Sequence, residues 1–147
     1  MIGIIIYQLL WLIALLVLAL LPKIVILPEW FTSNLLFVNC SLMGGMGGVL
    51  YCLRGIYLNK SVHKRWDKDW YVWYYLRPVT SLLSGLVSYI FLKAGLLVLD
   101  AAEGDAHFGY LAVAFVAGYN VDKFLQKLES IAKTLWGIDK SRSSGDE

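Results

Sequence analysis

Residues 41–55 read SLMGGMGGVLYCLRG, with Gly44, Gly45, Gly47 and Gly48 crowded into five positions of an otherwise apolar run. Glycine weakens a helix by roughly 0.5–1 kcal/mol per residue relative to alanine, so such a cluster needs a physical reason. A phosphate-binding loop would require a lysine after the last glycine and a strand before the first, and the stretch has neither. An ion filter carries its glycines in non-helical backbone buried in protein, whereas here apolar residues continue on both sides. Close helix contact explains more. Ser41, Gly45, Gly48, Cys52 and Gly55 are spaced 4, 3, 4 and 3 apart with Gly44 beside them, a seam of small residues along one helix. Such seams let backbones approach, which is how helices associate in lipid. They equally suit contacts within one chain and contacts between copies.

Composition places that helix in a bilayer. The 147 residues are 59% hydrophobic and 16% charged, with a mean hydropathy of +0.62. A hydrocarbon core of about 30 Å needs about 20 apolar residues in helical form. Four stretches meet or approach this: residues 2–21, 35–53, 78–99 and the shorter 108–121. The first ends at Pro22 and Lys23 and lacks the basic start and small-residue cleavage site of a signal peptide, so a retained span is expected. The expected fold is all-α: a polytopic transmembrane domain over 1–121, an amphipathic cytoplasmic helix over 122–137, and a disordered polar tail over 138–147.

Charge orients the spans, because short loops rich in Lys and Arg stay in the cytoplasm. Arg54, Lys60, Lys64, Arg65, Lys68 and Arg77 lie between the second and third spans, and Lys123, Lys127, Lys133, Lys140 and Arg142 follow the fourth. The opposite side has Lys23 and an acidic loop with Asp100, Glu103 and Asp105. Both termini are therefore expected in the cytoplasm of an inner membrane, with membrane lipid as the first partner. Between the second and third spans, Trp66, Trp70, Trp73, Tyr74 and Arg77 recur at helical spacing, which predicts an aromatic interfacial segment before Pro78 opens the third span. After Asn120, Val121, Phe124, Leu125, Leu128, Ile131, Ala132, Leu135 and Trp136 share one helix face and charged residues the other.

Catalytic patterns are missing. His63 and His107 fall on opposite sides of the expected membrane, and Cys40 and Cys52 sit about 18 Å apart along one helix, too far to share a bond or a metal. No enzyme activity, cofactor or metal is expected. Small residues recur in the third span (Thr80, Ser81, Ser84, Gly85, Ser88, Gly95) and the fourth (Gly109, Ala112, Ala114, Ala117, Gly118). Lys93 and Asn39 point roughly opposite their own seams and, with Gln8, are the pore-lining candidates, an intramembrane ionisable residue being a functional candidate by default. Snorkelling of Lys93 and wetting of Asn39 at the interface are the plainer alternative.

The run WYYLRPVTSLLSGLVSYIFLKAGLL, followed by GYLAVAFVAGYNVDKFLQKLESIA, resembles small multi-pass membrane effectors of bacterial anti-phage systems such as the Hailong effector. The likeness covers about residues 70–135: an aromatic-Leu-Arg-Pro opening, a small-residue span, and an Ala-Phe-x-Ala-Gly-aromatic exit into an amphipathic helix. It implies a homo-oligomeric channel or pore, a tetramer being the candidate assembly, triggered or restrained by the nucleotide or oligonucleotide product of a partner enzyme. Lys60, Lys64, Arg65, Lys68, Lys123 and Lys127 would be its cytoplasmic contacts. An accessory subunit of a larger membrane complex and a holin-like pore are the alternatives.

Overall fold

The computed structural model describes residues 2–26, 28–64, 69–97 and 106–138. Arg65, Trp66, Lys68, the acidic loop with Asp100, Glu103 and Asp105, and the tail from 139 onward lie outside the described residues. Among those described, every regular element is helical: α1 (Ile2–Leu20), α2 (Glu29–Thr32), α3 (Leu35–Tyr57), α4 (Tyr71–Lys93), α5 (Ala106–Tyr119) and α6 (Val121–Trp136). Three segments are long and apolar enough to cross a membrane, Ile2–Lys23, Leu35–Val62 and Tyr71–Lys93, while α5 is a shorter apolar helix.

The glycine-rich α3 is the centre of the bundle. Ile4 of α1 packs with Ile56, and Leu15 reaches Gly45, so α1 and α3 run antiparallel. Tyr74 packs on Cys52 and Gly85 lies on Cys40, which makes α4 antiparallel to α3 as well. Tyr119 at the end of α5 meets Tyr51, while Tyr110 near its start meets Tyr89, itself against Phe37; α5 therefore runs parallel to α3.

The glycines of the cluster face three helices: Gly44 and Gly48 meet α4, Gly47 meets α5, and Gly45 meets side chains of α1 and α4. A Cβ on Gly44 would stand 2.5 Å from the Ser81 carbonyl oxygen and 2.7 Å from Gly85 Cα, and one on Gly48 would collide with the Ser81 side chain. On the other flank, a Cβ on Gly47 would strike the Phe115 carbonyl, and one on Gly118 the backbone of Gly44. Three helix backbones thus close on one point. Ser41 adds a hydrogen bond to the Leu82 carbonyl (3.1 Å), and Gly55 faces the Tyr74 hydroxyl. Ser84, Gly85 and Ser88 of α4 are buried, the two serines donating back to Thr80 and Gly85 carbonyls. The seam is taken up inside one chain, on α4 and α5, and leaves no glycine face for a second copy.

Segment ends differ from the sequence expectation. Helix α3 continues past Arg54 to Tyr57 and then through a π turn, Leu58–Val62. Helix α4 begins at Tyr71, so the aromatic segment from there on is its first two turns rather than a separate interfacial helix, and Pro78 sits inside it. Proline lacks the N–H that the carbonyl four residues earlier needs, here that of Tyr74. Gln8 supplies it: its Nε2 donates to the Tyr74 oxygen at 2.6 Å, and the Gln8 side chain is fully buried. A neighbouring helix thereby makes an internal proline tolerable in an apolar medium. At the far end Gly95 takes a left-handed conformation (φ 73°) and stops α4 at Lys93, short of Leu99.

Candidate functional site

Helix α5 stops at the level of Gly47 and Tyr51, about 9 Å before α3 ends at Tyr57. Its last carbonyls therefore need donors from within the protein. Ser81 Oγ donates to the Gly118 oxygen at 2.9 Å, and Arg77 Nη2 to the Tyr119 oxygen at 3.4 Å. The guanidinium also places a positive charge at the negative end of the α5 dipole.

Arg77 is only 3% exposed. Its Nη1 donates to Asp122 Oδ2 at 3.1 Å, and its Cζ lies 4.8 Å from the Tyr51 ring centre and 5.0 Å from that of Trp73. Desolvation makes an unpaired charge costly, while aromatic faces and a carboxylate offset much of that cost. Asp122 is two-thirds exposed, so the pair sits at the edge of the bundle. One donor, Arg77 Nε, is buried without a partner.

The chain reverses at Asn120 (φ −127°, ψ 60°), and α6 returns along α4. Asp122 stands beside Arg77; Leu125 and Leu128 share a groove with Leu83 and Val87; Lys127, Ser130 and Ile131 share another with Gly95 and Leu96. The amphipathic helix expected after Asn120 is thus folded back on the bundle, its apolar stripe toward α4. Packing there is loose. The α4–α6 groove has a volume of about 470 Å³, the one beside Gly95 about 310 Å³, and one between α5 and α6 about 240 Å³.

The pore-lining candidates do not converge. Gln8 is buried against Tyr74, where it repairs the α4 backbone. Lys93 is the exposed last residue of α4, about 28 Å away along the helix, and Asn39 is half-buried in α3. Gln8 therefore faces the inside of the chain, and Lys93 stands at a rim because Gly95 ends the helix. The basic candidates also separate. Lys60 borders Ile5 and Ile56 at one end of the bundle, Lys64 is exposed four residues later, and Lys127 lies beside Gly95 at the other end. Lys123 is exposed on α6 near Val113. Folding back of α6 carries its lysines away from Lys60.

Sequence reasoning treated Arg77 as one more inner positive charge and overlooked its role. The available signal was the pairing of Arg-Pro in the α4 opening with an acid just past the α5 exit, in GYNVD. Among the described residues, no cluster of three or more His, Cys, Asp or Glu side chains could hold a metal. Comparisons of the chain with protein-family models, with curated proteins and with solved structures return no match.

Proposed function

We propose that the chain is the protomer of a homo-oligomeric channel or pore-forming effector of a bacterial inner membrane, acting in anti-phage defence and gated by α6. The observation that carries this is the placement of an amphipathic helix along a membrane-length one. Lys123, Gln126, Lys127, Ser130 and Thr134 of α6 are exposed beside α4. Against lipid, a lysine at the middle of the membrane costs about 2.5–3.5 kcal/mol and less toward an end; Lys123 lies beside Val113, midway along α5, and Lys127 at the Gly95 end, so this face favours water shared with other copies. A route within one chain has no room, since α3, α4 and α5 touch backbone to backbone. These α6 residues replace Gln8 and Lys93 as the pore-lining set.

Gating follows from the same helix. Its apolar stripe favours α4, while its lysines favour the cytoplasm. The Arg77–Asp122 pair and the Asn120 turn fix one end, and open grooves lie beneath the rest. Swinging about Asn120 exchanges the two placements. A nucleotide or oligonucleotide trigger from a partner enzyme would act at the Lys60–Lys64 end.

Purified protein in liposomes tests this. Asp122→Asn should raise ion flux by freeing α6, Lys127→Glu should change ion preference, and the protein in detergent should run as a closed oligomer. Monomeric mass together with no flux from wild type or Asp122→Asn would refute it. One observation favours the second reading, an accessory subunit: the glycine seam is filled within the chain, while Leu9, Leu10, Ile13 and Val17 of α1 stay exposed. Such a subunit would be monomeric alone and co-purify with a larger membrane complex.

A further inference from the structure

The groove between α4 and α6 has a polarity gradient. Along its length stand Leu83, Val87, Leu125 and Leu128. Its hydroxyls are quenched, Thr80 donating to the Arg77 carbonyl (2.9 Å) and Ser84 to that of Thr80 (3.0 Å). Leu83 and Leu125 face this space yet remain 57% and 49% exposed, so α6 is not packed down onto α4. At one end stands Arg77, a buried cation with both terminal nitrogens engaged and Nε unpartnered. A buried donor without an acceptor is costly, and more so on a charged group.

We propose that this groove binds one phospholipid, its phosphate oxygen accepting from Arg77 and one acyl chain lying between α4 and α6. The volume of about 470 Å³ falls within the range of ligand sites. A soluble anion would satisfy Nε and leave the leucines bare; a lipid without a phosphate, such as a diacylglycerol, would cover the leucines and leave Nε bare. A phospholipid does both, and in a bilayer the groove opens onto a supply of it. The acyl chain then becomes part of the surface on which α6 rests. The site does not depend on a pore: an accessory subunit would hold the same lipid.

Delipidated full-length protein titrated with phosphatidylglycerol or diacylglycerol and followed by native mass spectrometry is the test. One phosphatidylglycerol should be retained per chain, with an apparent affinity at least about five times that for diacylglycerol. Leu125→Phe, at a half-exposed position, should fill the groove and lower occupancy by either lipid. Arg77→Lys, which lacks the Nε donor, should keep occupancy by diacylglycerol and lower the preference for phosphatidylglycerol. Protection of Cys40 and Cys52 from maleimide reports that each variant is folded, both thiols being fully buried. Equal retention of the two lipids, unchanged retention in Leu125→Phe, or displacement of phosphatidylglycerol by millimolar inorganic phosphate alone would overturn the assignment.

Discussion

Replacing Gly44 by alanine adds one methyl where α3, α4 and α5 meet. The new carbon would stand 2.7 Å from Gly85 Cα, about 0.7 Å inside the 3.4 Å at which ordinary contact begins, and closer still to the Ser81 oxygen. Both obstacles are backbone, so no side-chain rotation relieves them; α3 and α4 must part. Overpacking of this kind costs about 1–3 kcal/mol, and rigid obstacles place Gly44→Ala at the upper end. Alanine's better helix propensity returns up to about 1 kcal/mol. The net loss is about 2 kcal/mol, roughly thirtyfold in the unfolding equilibrium. Gly45→Ala is the control: its methyl meets Leu82 Cδ2 at 2.8 Å and Leu15 Cδ1 at 3.1 Å, the ends of flexible side chains. It should change stability by less than about 0.5 kcal/mol, because those side chains can shift while the helix gains propensity. Denaturation in mixed micelles of increasing dodecyl sulfate content, read by helicity and by maleimide labelling of Cys40 and Cys52, measures both. Wild-type stability for Gly44→Ala, or a larger loss for Gly45→Ala, would refute the backbone-contact geometry.

Gln8→Leu leaves the Tyr74 carbonyl without its donor; because it also removes the unpartnered Gln8 Oε1, the loss should be about 1 kcal/mol in the same micelle titration. Asp122→Asn should raise hydrogen exchange across α6 by about tenfold while leaving α3 unchanged, since the pair holds one end of a loosely packed helix and α3 has its own glycine contacts. Lys93→Leu should leave both stability, within about 0.5 kcal/mol, and ion flux unaltered, because the side chain is exposed at the end of α4.

The α3 glycines were legible as a packing surface, since spacing along a helix follows from sequence alone, but the partner was not. Gly48 and Gly47 lie on different flanks and meet different helices, a fact set by how α4 and α5 cross α3. Gln8 shows the same limit more sharply. As the one polar residue in a long apolar run it reads as a pore candidate, and Pro78 reads as a helix start. Each is explained only by the other, seventy residues away in the chain. Lys93, expected some six residues inside the outer end of its span, is the last residue of α4, because a single left-handed glycine outweighs six further residues of mostly apolar pattern.

Local chemistry determined that this chain is helical and suited to a membrane, because long apolar runs leave the backbone no partner but itself. It also determined that α6 is two-faced, because helical periodicity sorts Leu125 and Leu128 from Lys123 and Lys127. The tertiary structure alone decided where the two faces go. Arg77 must be paired once α4 is buried, and the groups within reach are the end of α5 and Asp122. That pair holds the start of α6 just past the turn at Asn120, and the apolar stripe of α6 lies along α4, a placement no spacing in the sequence encodes.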